Sequence, residues 1–356
     1  MNKLSDRTFG IEIECFLNTP REEFVEKFNA MNSDNRKNQS IYYAPSEYGT
    51  WLRDKWVLGY DGTVRGGDGY SVELTSCPIK FSQLDSITGI IKHLNNDSAK
   101  VNKSCGFHCH IDAKDLTLQE VKKVMITYLI NEEVIAFMHS YSRRWNAGYA
   151  NSSRDINISQ IDDAFRNATT NDLIKKIKRA RNWEQLYMSC SNYDPRYVKL
   201  NIKGLYQYHS RRGPSQGRTG TIEFRQHGGT VDQDKIIAWI TFCYMMVESV
   251  RFAKCDSLQK GDYHIPFARK KRRLFEKMRR RLVKAFDSQE QFEDHYISAR
   301  YINARKFLIK RISHFTTESR LTTSEQQLVH RTRLNGSSEQ PTRRRWIDDT
   351  EGGSNG

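Results

Sequence analysis

Side chains that can bind metal ions recur two residues apart in four short segments with the composition of β-strands. Successive side chains of a strand point to opposite faces, so residues at alternate positions share one face. Clustered carboxylates on such a face repel one another and resist ionisation unless cations compensate them. The pattern therefore predicts a sheet face that binds hard metal ions. The segments are Phe9-Gly-Ile-Glu-Ile-Glu14, Ser71-Val-Glu-Leu-Thr75, Cys105-Gly-Phe-His-Cys-His-Ile-Asp112 and Thr221-Ile-Glu-Phe-Arg-Gln-His227.

Two divalent ions facing an arginine could clamp a phosphoryl group during its transfer. Mg²⁺ or Mn²⁺ would suit this face, because both prefer oxygen ligands and manganese tolerates histidine. Arg225 shares a face with Glu223 and would neutralise the charge that develops on the phosphoryl group. The carboxylates that could hold the two ions are Glu12, Glu14, Glu73 and Glu223.

The sequence has no glycine-rich phosphate loop followed by Lys-Ser or Lys-Thr, so metal ions and arginines would have to hold phosphates. Residues 211–220 are rich in glycine and in hydrogen-bond donors, which makes them a candidate lid over the phosphates. Arg212 and Arg218 of this loop are the candidate phosphate ligands.

The elements that would position these side chains predict an α+β fold. A capping-box pattern at residues 117–120 and a second start near Asp232 predict two long helices, each following a strand with site residues. Residues 56–74 predict two strands joined by a glycine-rich turn, which would bring Asp61 and Glu73 to one site. We therefore expect helices that cover only the apolar face of the sheet. Apolar residues expected on that face are Ile11, Ile13, Val72, Leu74, Phe107, Cys109, Ile111, Ile222 and Phe224.

The composition, with 37% hydrophobic and 28% charged residues among 356, is that of a water-soluble chain with room for a large domain and an appendage. The longest apolar stretch, residues 236–247, is shorter than the ~18 residues of a membrane span. Residues 1–7 lead directly into a strand rather than into an apolar signal segment. A cytoplasmic protein without a membrane partner is expected. Seven scattered cysteines argue against a disulfide framework.

Most of the net charge of +15 lies near the C-terminus, where residues 260–356 carry 22 Lys and Arg against 12 Asp and Glu. Residues 269–284 and 290–313 predict basic helices. They could contact nucleic acid or another acidic partner, although a solvated helix face explains such charge more simply. The predicted organisation is a domain with the site at residues 1–259, a basic helical region at 260–334 and a disordered tail at 335–356.

Five motifs resemble those of the putative amidoligase family and occur in the same order. That family belongs to the carboxylate-amine ligases with a glutamine synthetase-like catalytic domain. The resemblance implies a mostly antiparallel sheet with an open face for metals and nucleotide. It also implies an enzyme that uses ATP to activate a carboxylate as an acyl phosphate, which an amine then attacks. The motifs are Gly10-Ile-Glu-Ile-Glu14, Glu73-Leu-Thr-Ser-Cys-Pro78, Cys105-Gly-Phe-His-Cys-His110, Tyr197-Val-Lys-Leu-Asn201 and Thr221-Ile-Glu-Phe-Arg225.

The resemblance also implies roles for individual residues. His108 resembles a metal ligand, His110 a contact to nucleotide phosphate, and Arg225 a binder of phosphate or carboxylate. Glutamine synthetases place two nearby glutamates in the middle motif, whereas Asp61 and Glu73 lie twelve residues apart, so Asp61 is the least secure ligand. The implied metal ligands are Glu12, Glu14, Glu73, His108 and Glu223. The implied catalytic residues are Glu14, Glu223 and Arg225. The implied nucleotide contacts are His110 and Arg225, to which the loop composition adds Arg212 and Arg218.

Other functions compete with the ligase. A phosphotransferase that resembles the guanidino kinases would use the same metals and arginines, and a nucleic-acid-binding protein could retain the acidic face without catalysis. Cys105 and Cys109 could join the histidines in a zinc site, but strand alternation places Cys109 on the opposite face. Arg143, like Arg144 and Arg154, could bind an anionic substrate or be an ordinary surface charge.

Overall fold

In the computed structural model, the described residues are 4–32, 40–44, 51–140, 143, 170–189, 198–211, 217–253, 267–317 and 321. Within these ranges the strands are β1 (Thr8–Leu17), β2 (Ile41–Ala44), β3 (Trp56–Gly59), β4 (Tyr70–Thr75), β5 (Ile79–Lys80), β6 (Gly106–Asp112), β7 (Leu200–Asn201) and β8 (Thr221–Gly228). The α-helices in these ranges are α1 (Arg21–Met31), α2 (Thr88–Asn96), α3 (Leu118–Ala136), α4 (Thr170–Arg179), α5 (Trp183–Met188), α6 (Lys203–Ser210), α7 (Gln233–Ser249), α8 (Phe267–Val283), α9 (Gln289–Asp294) and α10 (Tyr296–Phe315).

All eight strands belong to one sheet with the order β2-β3-β4-β1-β6-β8-β7, and β5 pairs with one end of β1. Each neighbouring pair is antiparallel except β2 with β3, which is parallel. The predicted α+β fold with a mostly antiparallel sheet is thus confirmed. The central strands β1, β4, β6 and β8 are the ones that carry the site motifs.

The apolar face of the sheet packs against α3 and α7. All nine residues predicted for this face are at most 1% exposed. The ring of Phe224 contacts the rings of Tyr128 on α3 and Trp239 on α7. Burial of this layer provides the main driving force for folding, because each fully buried aliphatic or aromatic side chain contributes about 1.5–3 kcal/mol. The opposite face of the central strands is therefore left to polar side chains.

The starts of the two long helices follow the predicted signals. Thr117 and Glu120 form a capping box, in which the Thr117 amide donates to Glu120 Oε2 at 2.8 Å and the Glu120 amide donates to Thr117 Oγ1 at 3.3 Å. The Asp232 side chain accepts from the Lys235 amide at 3.1 Å at the start of α7. The predicted pairing within residues 56–74 is also confirmed, since β3 and β4 are antiparallel.

The basic helices α8 and α10 share the hydrophobic core of α7. Leu274 and Phe275 of α8 are buried, as is Leu308 of α10, and all three belong to the same cluster as the sheet residues. The single helix expected at residues 290–313 is wrong, because His295 has an extended conformation that separates α9 from α10 and its Nδ1 caps α10. The domain boundaries and the tail at residues 335–356 lie outside the described residues and stay predictions. None of the helices in the described ranges combines the length and apolarity needed to cross a membrane.

Candidate active site

The strand register brings the predicted site residues together on the uncovered face. Directly opposite residues of antiparallel strands have their Cβ atoms about 4.5–5.5 Å apart, close enough for their side chains to interact. Three such pairs connect β4, β1, β6 and β8 across the centre of the sheet. They are Glu14 with Glu73, Glu12 with His108, and His110 with Glu223.

Glu12, His110 and Glu223 form the first ligand group. Each offers one ligand atom, and these atoms lie within 4.8 Å of one another. Glu12 Oε1 is 2.9 Å from His110 Nε2, and Glu12 Oε2 is 2.6 Å from His108 Nδ1. Glu223 Oε1 is 3.8 Å from both histidines. The group therefore combines two carboxylates with an imidazole, a set that suits Mg²⁺ or Mn²⁺.

Glu14, Asp61 and Glu73 form the second ligand group, with ligand atoms that also lie within 4.8 Å of one another. The three side chains are deeply buried, since the residues are 1%, 0% and 7% exposed. Glu14 Oε2 accepts a hydrogen bond from the Gly106 amide at 2.7 Å, and Asp61 Oδ1 accepts from the Thr63 amide at 2.7 Å. Main-chain donors thus orient two carboxylates of a group that contains only oxygen ligands.

Two polar side chains orient Glu223. Arg225, two residues further along β8, forms an ion pair with Glu223 Oε1. Asn201 of β7 lies opposite Glu223 and donates from Nδ2 to Glu223 Oε2 at 2.7 Å. The Asn201 Oδ1 in turn accepts from the Lys203 amide at 2.8 Å, at the start of α6. Both carboxylate oxygens of this predicted ligand are therefore held by donors from the protein.

The electrostatics of the first ligand group are balanced by its cations. Burial opposes the charge on His110, but the carboxylates of Glu12 and Glu223 outweigh it and raise the His110 pKa to about 9. Burial likewise opposes the charge on Glu12, yet His110 and His108 hold the Glu12 pKa well below its usual range. Against the same cost of burial, Arg225 and His110 lower the Glu223 pKa. The carboxylates of this group are ionised at neutral pH.

Nearby cations compensate the second ligand group less fully: His108 Nε2 is 3.8 Å from Glu14, and Arg225 acts to lower the Glu73 pKa but is outweighed. Burial, together with the carboxylates of Glu12, Glu14 and Asp61, raises the Glu73 pKa well above its usual range. The protein alone therefore does not stabilise full ionisation of this group, and Glu73 retains a proton where an exposed carboxyl would lose it. A divalent cation fits this donor set, because it would replace the proton and compensate the buried charges.

A cavity of about 470 Å³ opens beside the first ligand group. Its size falls within the usual range for small-molecule sites. Glu12, His110 and Glu223 line it, together with residues of α6 and of the segment that enters β8. The cavity thus connects the first ligand group with a space large enough for part of a ligand. Further lining residues are Trp51, Asp112, Lys114, Lys203, Gln207 and Thr219.

Of the three arginines predicted as phosphate ligands, the structure places one in the site and one outside the cavity, and the third is not among the described residues. Arg225 lies in the site. Arg218 is partly buried in the segment before β8 but does not line the cavity, and Arg212 lies outside the described residues. Arg144 and Arg154 also lie outside them, whereas Arg143 is buried and donates from Nη2 to the main-chain oxygens of Lys103 and Cys105. Of the two alternatives for Arg143, the ordinary surface charge is therefore wrong.

The cysteines within the described ranges do not join the ligand groups. Cys109 is fully buried on the covered face, where its thiol contacts Cys243 of α7. Among the described residues, the groups of potential metal ligands contain carboxylates and His110 but no cysteine. The alternation that argued against a zinc site is thus confirmed for Cys109.

The sequence predicted two contributors only in part. Asp61 was expected at one site with Glu73 but as the least secure ligand, and it belongs to the second ligand group. Asn201 had only a motif match without a role. Gly106 was part of a motif, but only the structure shows why glycine is needed at this position. A Cβ there would lie 2.7 Å from His108 Nε2 and 3.3 Å from Glu14 Oε1. Glycine therefore allows the main chain to approach both side chains.

A comparison with protein families agrees with this arrangement. A family model described as "Putative amidoligase enzyme" matches residues 5–247, which include all eight strands and both ligand groups. A search of curated proteins found no match. The matched region covers more than half of the chain and ends within α7.

Proposed function

Because the chain belongs to the putative amidoligase family, we propose that it is an ATP-dependent ligase that forms an amide bond between a carboxylate and an amine. We further propose that its sheet is related to the catalytic domain of glutamine synthetase. The observation that carries the proposal is the presence of two ligand groups on one sheet face, with Arg225 beside the first. A hydrolytic nucleophile would not need this set of residues, whereas transfer of a phosphoryl group would.

The first and second ligand groups would each hold one Mg²⁺ or Mn²⁺ ion. Glu12, His110 and Glu223 would bind the first ion, and Glu14, Asp61 and Glu73 the second. His108 bridges the two groups, because its Nδ1 is 2.6 Å from Glu12 and its Nε2 is 3.8 Å from Glu14. When bound, the two ions would neutralise phosphate charge and act as Lewis acids.

ATP would bind in the cavity beside the first ligand group. His110 lines this cavity, and Lys114 and Lys203 supply positive charge at its walls. Trp51 offers an aromatic surface at the same place, and aromatic side chains stack well on nucleobases. The phosphates would then point toward Arg225 and the ligand groups.

The reaction would proceed in two displacements. First, an oxygen of the substrate carboxylate attacks the γ-phosphorus of ATP, and the bond to the bridging oxygen breaks to release ADP. Arg225 stabilises the charge that develops on the transferred group, because its guanidinium is already held in place by Glu223. Second, the amine nitrogen attacks the acyl carbon of the acyl phosphate, phosphate leaves, and the nitrogen loses a proton.

The exposed basic surface of α8 supports an acidic substrate or partner. Arg269, Arg272 and Arg280 are exposed on this helix, and the opposite side packs into the core. Nucleic acid or an acidic peptide could carry the reacting group, so both belong among the compounds to be tested.

The test is an assay with MgCl₂, ATP, pooled carboxylates and pooled amines, in which ADP, free phosphate and product mass are followed together. If the protein is a ligase, ADP and phosphate should form in equal amounts. The product should have the mass of the acid plus that of the amine minus one water. A phosphotransferase on the same fold, the second candidate, predicts ADP and a phosphorylated product without free phosphate. Nucleic acids and acidic peptides form the second substrate pool.

Charge-neutral variants identify the site. Glu223→Gln and Glu14→Gln should abolish turnover while they retain the wild-type unfolding transition. Glu23→Gln is a matched control, because Glu23 is an exposed carboxylate on α1 paired only with Lys27 within the described residues. Full activity of either site variant would refute the proposal.

A further inference from the structure

Arg143 lies beside the ends of β6 and β8 and is 2% exposed. Its Nη2 donates to the Lys103 main-chain oxygen at 3.1 Å and to the Cys105 main-chain oxygen over a shorter distance. Burial of a guanidinium is costly unless it is hydrogen-bonded, so its position requires these acceptors. The side chain therefore acts on the main chain at the start of β6.

The peptide that joins Cys105 to Gly106 is hydrogen-bonded through its carbonyl oxygen and through its N–H. Its carbonyl oxygen accepts from the Arg143 guanidinium and from the Gly229 amide at 2.7 Å. Its N–H donates to Glu14 Oε2 at 2.7 Å. Because a peptide group is planar, bonds that fix the direction of the carbonyl also fix the direction of the N–H. A positive charge at the carbonyl also polarises the peptide and strengthens the donor on its other side.

The same arginine is connected to β8. Its main-chain oxygen accepts from Gln226 Nε2 at 3.2 Å, and Gln226 Oε1 accepts from the Tyr128 hydroxyl. Gln226 follows Arg225 at the place where the register between β6 and β8 shifts by one residue. Such bulges redirect neighbouring side chains and often lie next to active sites. Arg143 thus contacts both strands that enter the site from this end.

We infer that Arg143 is a positioning residue that holds the Cys105–Gly106 peptide in the orientation that fixes Glu14 within the second ligand group. The importance of Glu14 as a metal ligand rests on the proposed function, whereas its hydrogen bond to Gly106 does not. The guanidinium acts through the peptide rather than on a substrate. Its removal should therefore affect the second ligand group more than the first.

The unique Cys-Gly sequence at residues 105–106 makes a direct test possible. Protein labelled with carbonyl-¹³C cysteine and ¹⁵N glycine gives a single correlated NMR signal, that of the Gly106 amide. Glu14→Gln should move its proton upfield, because a neutral amide is a weaker acceptor than a carboxylate. Arg143→Gln should move the same signal in the same direction, and Arg143→Lys, which keeps one charged donor, should give an intermediate shift.

A second measurement reports on the ligand group itself. Mn²⁺ titration followed by electron paramagnetic resonance should show about tenfold weaker binding at one of two sites in Arg143→Gln, the usual effect of losing a residue that orients a metal ligand. Arg311→Gln is the matched control, because Arg311 also donates to a main-chain oxygen, that of Met138, at 2.7 Å. The control should leave both the Gly106 signal and Mn²⁺ binding unchanged.

The outcomes separate this inference from the proposed function. An unshifted Gly106 signal with wild-type Mn²⁺ affinity in Arg143→Gln would overturn the inference. If Arg143→Gln does not fold, Arg143→Lys provides the test. An unchanged position of the Gly106 signal in that variant would also overturn the inference. A shifted Gly106 signal in Arg143→Gln would uphold the role of Arg143. If the wild-type protein binds Mn²⁺ but does not turn over ATP, the ligase is refuted and the role of Arg143 still stands.

Discussion

The two ligand groups lie on the same sheet face but compensate their charge in different ways. The first contains His110 and is surrounded by His108 and Arg225, so its carboxylates are ionised without a metal. The second contains three carboxylates without a cation among its members, and burial and its neighbours raise the Glu73 pKa. The first lines a cavity, and the second is deeply buried.

If each group holds an ion as proposed, this difference would give the two ions different tasks. The carboxylates of the first ligand group already have cationic partners, so an ion there can exchange together with a ligand that enters the cavity. The second ligand group would gain more from its ion, because buried like charges are costly until a cation compensates them. We expect the second ion to remain bound between turnovers and the first to arrive with the nucleotide.

The largest effect on metal binding and turnover is expected from substitutions that remove a ligand from one group and leave the other group intact. Glu14→Gln should reduce the Mn²⁺ bound from two ions to one and abolish ATP turnover, a loss of at least about a thousandfold, in line with the loss of a major electrostatic contribution. Glu12→Gln should remove the other ion. Stoichiometry by electron paramagnetic resonance, with and without ATP, distinguishes the two variants. If either substitution released both ions, the two groups would be a single cooperative site.

A smaller effect is expected from Asn201→Ala, which removes the donor to Glu223 Oε2. Loss of such an orienting hydrogen bond should weaken the first ion about tenfold and leave the second unchanged. Asn182→Ala is the control, because Asn182 also accepts from a main-chain amide, at the start of α5, far from the site in sequence. The Mn²⁺ titration of both variants measures the difference. Equal weakening of the two ions would contradict the separation of the groups.

The stability of the metal-free protein tests the buried charge of the second ligand group. Burial and neighbouring carboxylates raise the folded-state pKa of Glu73, so the unfolded chain loses this proton at a lower pH. Stability should therefore fall as pH rises above the ordinary glutamate pKa, and Glu73→Gln should avoid that loss. The variant should be more stable than the wild type by about 1 kcal/mol at pH 8.

Urea unfolding in EDTA at pH 5 and pH 8 measures this effect. The advantage of Glu73→Gln should be smaller at pH 5 and should reverse when Mg²⁺ is added, because the wild type then gains stability from ion binding. Glu23→Gln, at an exposed position, should show neither change. An advantage that is the same at both pH values would mean that Glu73 is ionised without cost.

The side chains that share the face of the first ligand group could be predicted from the sequence, although its histidine is His110 and not His108, the implied metal ligand. Strand alternation fixes which side chains share a face, and it correctly placed Glu12, His108 and His110 together with Glu223. The apolar residues between them are buried as expected. A period of two is a local property of the chain, so it needs no knowledge of the fold.

The remaining features depend on contacts that are distant in sequence. Asp61 reaches the second ligand group because β3 and β4 pair in a register that places Gly59 opposite Glu73. The pairing of the two strands was predicted, but no local pattern specifies this register. Asn201 reaches Glu223 through β7, a strand of two residues that is too short for a recognisable alternation. The buried position of Arg143 likewise depends on the ends of β6 and β8.

The smallest effect should be found at Thr63, whose hydroxyl donates to Asp61 Oδ1 at 2.5 Å. Thr63→Val removes that donor and keeps the shape, so the second ion should bind less tightly by about 0.5–1.5 kcal/mol. Thr63→Ser retains the hydroxyl and should bind like the wild type. Mn²⁺ titration should show no change at the first ion, because the hydroxyl is bonded to Asp61, a member of the second ligand group. An equal loss at both ions would mean that Asp61 acts on the two groups as one cluster, and the contrast between a nucleotide-linked ion and a resident ion would then have to be abandoned.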